Sequence, residues 1–84
     1  PSAVTRIATG GETHENLILR VVEVIQAGAP TTMPGTILRA DDRLDVSTGY
    51  DVLRIHRLLR QGRKETDAAS FLRGFPLTVG SRLQ

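Results

Sequence analysis

The chain has 84 residues, with 11 Lys and Arg against 9 Asp and Glu, and no cysteine. A chain of this length is expected to form one domain, residues 1–84, around a small core, and without thiols neither a disulfide framework nor thiolate metal ligation can staple it. Its longest apolar runs, Leu17 to Leu19 and Val21 to Ile25, are broken by Arg20 and Glu23 and fall well short of the roughly 20 residues that span a bilayer; nor does a basic region with an apolar signal core open the chain, so a soluble, cytoplasmic protein with no membrane partner is expected.

Gly10-Gly11, Gly28 to Pro34, Asp41-Asp42, Gly49 and Gly62 punctuate short runs of Val, Ile, Leu and Thr at the spacing of a small antiparallel β protein. Five strands are predicted, at Val4 to Thr9, Leu17 to Gln26, Thr36 to Ala40, Leu44 to Ser47 and Val52 to Leu59. Gly10-Gly11 has hairpin-turn chemistry and lacks the spacing of a phosphate loop. In the second strand Leu17, Leu19 and Val21 alternate with Ile18, Arg20 and Val22, and apolar residues on both faces mark a central strand. Pro34-Gly35 leads into the third strand without demanding a ladder donor from the proline. Asp41-Asp42 reads as a turn between strands rather than a cation site.

After the fifth strand, TDAASFLRG predicts a short helix. Thr66 or Asp67 can cap it, Phe71 and Leu72 can cover the sheet, and Gly74 can stop it in the left-handed conformation. Phe75, Leu77, Val79 and Leu83 then supply an apolar segment expected to lie across the end of the barrel. Tyr50 is the one exposed candidate among three aromatics, so a stacking platform for single-stranded bases is poorly supplied.

Charge is unevenly spread. Residues 1–42 hold three arginines against five acids, giving −2, and residues 43–84 hold eight basic groups against four acids, giving +4. The stretch GYDVLRIHRLLRQGRK carries arginines at 54, 57, 60 and 63. As a helix it places Val52, Ile55 and Leu59 near one face; as a strand it keeps alternation for only part of its length. Periodicity favours neither, although the preceding Ser47-Thr48-Gly49 suits a hairpin between the fourth and fifth strands.

The order of residues from Pro34 to Leu83 resembles the carboxy-terminal domain of methionyl-tRNA formyltransferase and its relatives. The resemblance is carried by Pro34-Gly35-Thr36-Ile37-Leu38, Val46-Ser47-Thr48-Gly49, Leu53 and Ile55 before Leu58-Leu59, Gly62-Arg63-Lys64, Ala69-Ser70-Phe71-Leu72-Arg73-Gly74 and Gly80-Ser81-Arg82-Leu83. It implies a mainly β fold, a small open Greek-key barrel resembling an oligonucleotide-binding barrel, with one short helix and with Val52 to Leu59 as a strand. It also implies that the domain helps hold tRNA through basic side chains beside a separate catalytic domain. Gly62-Arg63-Lys64 matches the family's glycine and basic pair, while Arg60-Gln61 stand where the family has proline and alanine, and Glu65 follows the lysine.

On a strand Arg54 and Arg57 face opposite sides, so the basic patch is expected in the turn at Arg60, Arg63 and Lys64, joined by Arg54 and Arg73. The expected role is a non-catalytic RNA-binding accessory module. Its partners would be tRNA or another RNA, and a formyltransferase-like catalytic domain or a second copy of itself. The competing readings are a stand-alone interaction or self-association module using an exposed strand edge, and a domain cut from a complete formyltransferase. Catalytic residues and cofactors are not expected. His14 and His56 are too isolated to define a metal site with Glu12, Glu15 or Asp51.

Overall fold

A computed structural model describes residues 3–10, 13–28 and 33–83. Six strands and one helix follow in chain order: β1 (Ala3–Gly10), β2 (Thr13–Gln26), β3 (Ile37–Ala40), β4 (Leu44–Ser47), β5 (Val52–Arg60), β6 (Thr66–Asp67) and α1 (Ala68–Gly74). The first five form an antiparallel sheet in the order β1-β2-β5-β4-β3, and β6 pairs with β5 beside that path. Strands β3, β4 and β5 follow one another while β2 returns beside β5, which is the Greek-key order. The fold is mainly β, as expected, and the sheet stays open between β1 and β3. Gly11 of the expected Gly10-Gly11 turn, the neighbouring Glu12, and residues 29–32 of the β2–β3 connection lie outside the described residues; the backbone pairs Gly10 with Thr13 across the first of these gaps.

The run with arginines three apart is strand β5, and its burial also has a period of three: Val52, Ile55 and Leu58 are buried. A straight strand would put Ile55 and Leu58 on opposite faces. Opposite β2, however, Val22 pairs with Ile55 and Val21 with Arg57, so His56 has no opposite number. That bulge re-phases the strand and turns both Ile55 and Leu58 inward. A second irregularity leaves Arg20 of β2 unmatched between Leu19 and Val21.

The core is closed by α1 and by the tail. Leu17, Ile37, Leu44 and Leu58 are fully buried, and Phe71, Leu72 and Leu83 pack onto them. Each such side chain contributes roughly 1.5–3 kcal/mol by leaving water. Thr36 bridges Arg82, Leu83 N–H donates to the Gly35 carbonyl at 2.7 Å and Ile37 N–H to the Ser81 carbonyl at 2.8 Å. Gly35 is required there: its φ is +85°, and a Cβ would sit 2.1 Å from the Leu83 carbonyl oxygen.

Two local expectations need correction. Gly74 does not stop α1 in the left-handed conformation, because it is absent from the positive-φ glycines. The helix ends at Phe75, which adopts φ −145°, ψ 77° while its N–H still bonds the Phe71 carbonyl; Pro76 follows, and a residue before proline is driven out of the helical region. Val79 does not join the apolar cover. It sits beside Gly80 (φ +95°) in the tight turn closed by Ser81 N–H to the Thr78 carbonyl, and is 59% exposed. The helix is capped by Asp67, whose carboxylate accepts from Ser70 N–H at 3.1 Å. Among the described residues no helix is long and apolar enough to cross a membrane.

Candidate nucleic-acid interface

Strand β5 leaves the sheet through a four-residue turn. Arg63 N–H donates to the Arg60 carbonyl at 2.9 Å, and Gly62 takes φ +82° at the third position, where a type II turn needs a glycine. The turn is held to β2 by Gln61 N–H donating to the Asn16 carbonyl and by Asn16 Nδ2 donating to Gln61 Oε1 at 2.7 Å. Three basic residues are thereby placed at one end of β5, facing α1.

Between this turn and the helix lies a groove of about 260 Å³, lined by Arg60, Arg63, Lys64, Thr66, Ser70, Phe71, Gly74 and Phe75. Arg60 is partly buried and its guanidinium carbon lies 5.0 Å over the Phe75 ring, with Glu15 3.6 Å from its Nε. It is fixed by stacking and by an acid. Arg63 and Lys64 are exposed and have no ion-pair partner among the described residues. Glu65 next to them is occupied by Arg57 and Arg20. The groove therefore presents two uncommitted cations on its rim. Arg73 extends from the last turn of α1 and donates to Ser70 Oγ, which lines the groove. Thr66 Oγ1 is buried in its wall without a hydrogen-bond partner.

Arg54 is placed elsewhere. It reaches across to β4, where Nε and Nη2 donate to the two carboxylate oxygens of Asp45 at 2.9 and 3.1 Å. That forked pair raises the Arg54 pKa through the hydrogen bond to Asp45. Arg54 instead borders a second cavity of about 220 Å³, with Asp42, Arg43, His56 and Asp67, whose charges are mixed. His56 itself contacts Glu23 at 2.8 Å. Among the described residues no three His, Cys, Asp or Glu side chains cluster as metal ligands.

Of the residues expected together, Arg60 and Arg63 stand at the two ends of the turn and Lys64 directly follows it. Sequence reasoning missed Phe75 as the platform under Arg60, and the acids Glu15 and Glu65 that take up neighbouring arginines. Phe75 and Arg60 are fifteen positions apart and meet only because α1 folds back along β5, so no local periodicity signals the contact.

The family described as formyl transferase, C-terminal domain, matches residues 1–76. A methionyl-tRNA formyltransferase of Parvibaculum lavamentivorans is 39% identical over 80 residues, which is 95% of this chain and 24% of that protein. One from Sinorhizobium fredii is 37% identical over 83 residues, 99% of this chain and 25% of that protein. One from Gluconacetobacter diazotrophicus is 45% identical over 67 residues, 71% of this chain and 21% of that protein. The chain thus spans about a quarter of the length of the curated relatives it matches.

Proposed function

The chain belongs to the formyl transferase C-terminal domain family, and from that premise we propose that it is a non-catalytic RNA-binding accessory module whose ligand is tRNA. Formyl transfer, on this reading, belongs to the larger part of the relatives' length that this chain does not match, and the module works in the cytoplasm beside it. The observation that carries the reading is the pair Arg63 and Lys64, set at the end of a hydrogen-bonded turn on the rim of the α1 groove with the neighbouring acids Glu15 and Glu65 already engaged. Unpaired cations meet phosphate without first breaking an internal ion pair, and each phosphate neutralised releases condensed counterions.

Arg60 has a different role in this account. Stacked on Phe75, it shapes the groove floor and adds positive potential, while Arg63 and Lys64 make the contacts and Arg73 flanks them. Arg54, its charge matched by Asp45, adds little to the field and nothing to the contact. Binding of this kind reads the backbone and is indifferent to base sequence. A fluorescence titration with unmodified tRNA at low salt tests it: the chain binds, the Arg63→Ala/Lys64→Ala variant binds more weakly, and Arg43→Ala, exposed beside the other cavity, leaves binding close to wild type. Equal affinities for the first two proteins would remove the basis of the proposal.

A further inference from the structure

Strand β2 has a second half that the core does not cover. Every residue from 20 to 28 is exposed, including Val22 at 40% and Val24 at 54%. Among the described residues β1 reaches only as far as Leu19, opposite Ala3, so this half is paired on one edge alone, to β5.

The placement of these valines is informative. Directly opposed residues in an antiparallel sheet project from the same face. Val22 opposes Ile55, which opposes Leu44; Val24 opposes Leu53, which opposes Val46, which opposes Ile37. Ile55, Leu44, Val46 and Ile37 are all buried in the core. The two rows therefore carry the apolar core face outward across the sheet until it emerges uncovered at Val22 and Val24. Glu23, between them, looks to the reverse face and meets His56 there. The strip is aliphatic and free of charge.

We infer that Val22, Val24 and the adjoining Leu53 form the docking surface for the preceding, larger part of the same polypeptide, an aliphatic-faced domain that completes the core from outside. The inference rests on the reading of this chain as the accessory part of a longer formyltransferase. Size selects the occupant. Three partly covered aliphatic side chains supply a small fraction of the roughly 800 Å² per partner that a stable interface between free proteins needs. A tethered domain is present at an effective concentration of about millimolar, so a small apolar contact is enough to hold it. The length of the relatives provides such a domain, since about three quarters of it lies outside the matched region. The strip also leaves the RNA groove free: Leu53 and Arg60 are seven positions apart along β5, roughly 23 Å at 3.3 Å per residue. One end of the module is thereby assigned to its own enzyme and the other to RNA.

The test uses the absence of native cysteine from these 84 residues. Val24→Cys is introduced into the 84-residue chain and into the polypeptide encoded by the complete reading frame, with Val79→Cys, exposed on the tail, as the control. Maleimide labelling of each site is followed by peptide mass. The expected result is at least about tenfold slower labelling of Cys at 24 in the longer polypeptide, because the thiol then reacts only on undocking, with no change at 79. Equal rates at 24 in both proteins would overturn the inference. So would a slowing in the 84-residue chain as its concentration rises, which would make a second copy the occupant, or a reading frame that encodes nothing before this domain. Protection at 24 without tRNA binding would leave the interface standing and sink the RNA reading; tRNA binding without protection would do the reverse.

Discussion

The guanidinium of Arg60 stacks 5.0 Å over the ring of Phe75, joining the last residue of β5 to the residue that ends α1. This contact sets the floor of the basic groove. A cation over an aromatic face at a partly exposed site contributes about 0.5–1 kcal/mol. A double-mutant cycle with Arg60→Met and Phe75→Leu, measured by urea unfolding, should return a coupling of that size. A coupling near zero would mean that the two side chains are neighbours without attraction.

Two glycines should respond in opposite senses. Gly35→Ala forces a Cβ against the Leu83 carbonyl in a backbone conformation with φ +85°, so the tail must detach or shift; a left-handed non-glycine residue alone costs roughly 1–2 kcal/mol, and the clash adds to it. Gly74→Ala meets nothing within 4 Å at the end of α1 and should stabilise by about 0.5–1 kcal/mol through the lower backbone entropy of alanine in the unfolded chain. Denaturant midpoints of the two variants check both signs.

The core and the tail give a second contrast. Leu44→Ala empties a fully buried position between Ile55 and Ala40 and is expected to cost about 2–5 kcal/mol. Val79→Ala, at the exposed apex of the tail turn, should stay within about 0.5 kcal/mol of wild type. A large effect at Val79 would mean that the tail packs more tightly than its exposure indicates.

Acid should loosen the helix first at its cap. The Asp67 carboxyl is held below the ordinary carboxylate value by its hydrogen bonds from Ser70. A folded-state pKa below the unfolded one means that the cap's contribution is fully present above the unfolded value, about 3.9, and is lost as pH falls through the folded value. Asp41, lowered by Arg39 and the Arg43 N–H, acts in the same direction. Asp67→Asn keeps a capping oxygen without the charge, so its stability should fall less steeply than that of wild type below about pH 4. Identical acid limbs in thermal melts would contradict the assignment.

The first five strands were legible because turn residues bracket β-branched runs, whereas the two-residue β6 exists only through its pairing with β5; the basic turn was legible because Gly62 stands between Arg60 and Arg63. The arginine spacing itself was not interpretable from one segment. What it accompanies, the burial of both Ile55 and Leu58, comes from the bulge at His56, a property of the pairing with β2 that no local pattern contains. The same applies to Arg54: in sequence it is one cation in a series, and only the register that sets it opposite Asp45 shows that its charge is already matched. The helix stop was misplaced at Gly74 because Phe75-Pro76 ends the helix by restricting the residue before proline, which makes a left-handed glycine unnecessary.

The salt dependence of tRNA binding separates phosphate contact by Arg63 and Lys64 from every other mode of association. If Arg63 and Lys64 each neutralise one phosphate, together they contribute about −1.4 to −1.8 to the slope of log affinity against log salt, the range spanning single-stranded and duplex contacts. Wild type should bind measurably at low salt, and the slope for Arg63→Ala/Lys64→Ala should be shallower than that of wild type by about that amount. Absence of binding to tRNA at low salt, or parallel slopes for the two proteins, would contradict phosphate contact by this pair.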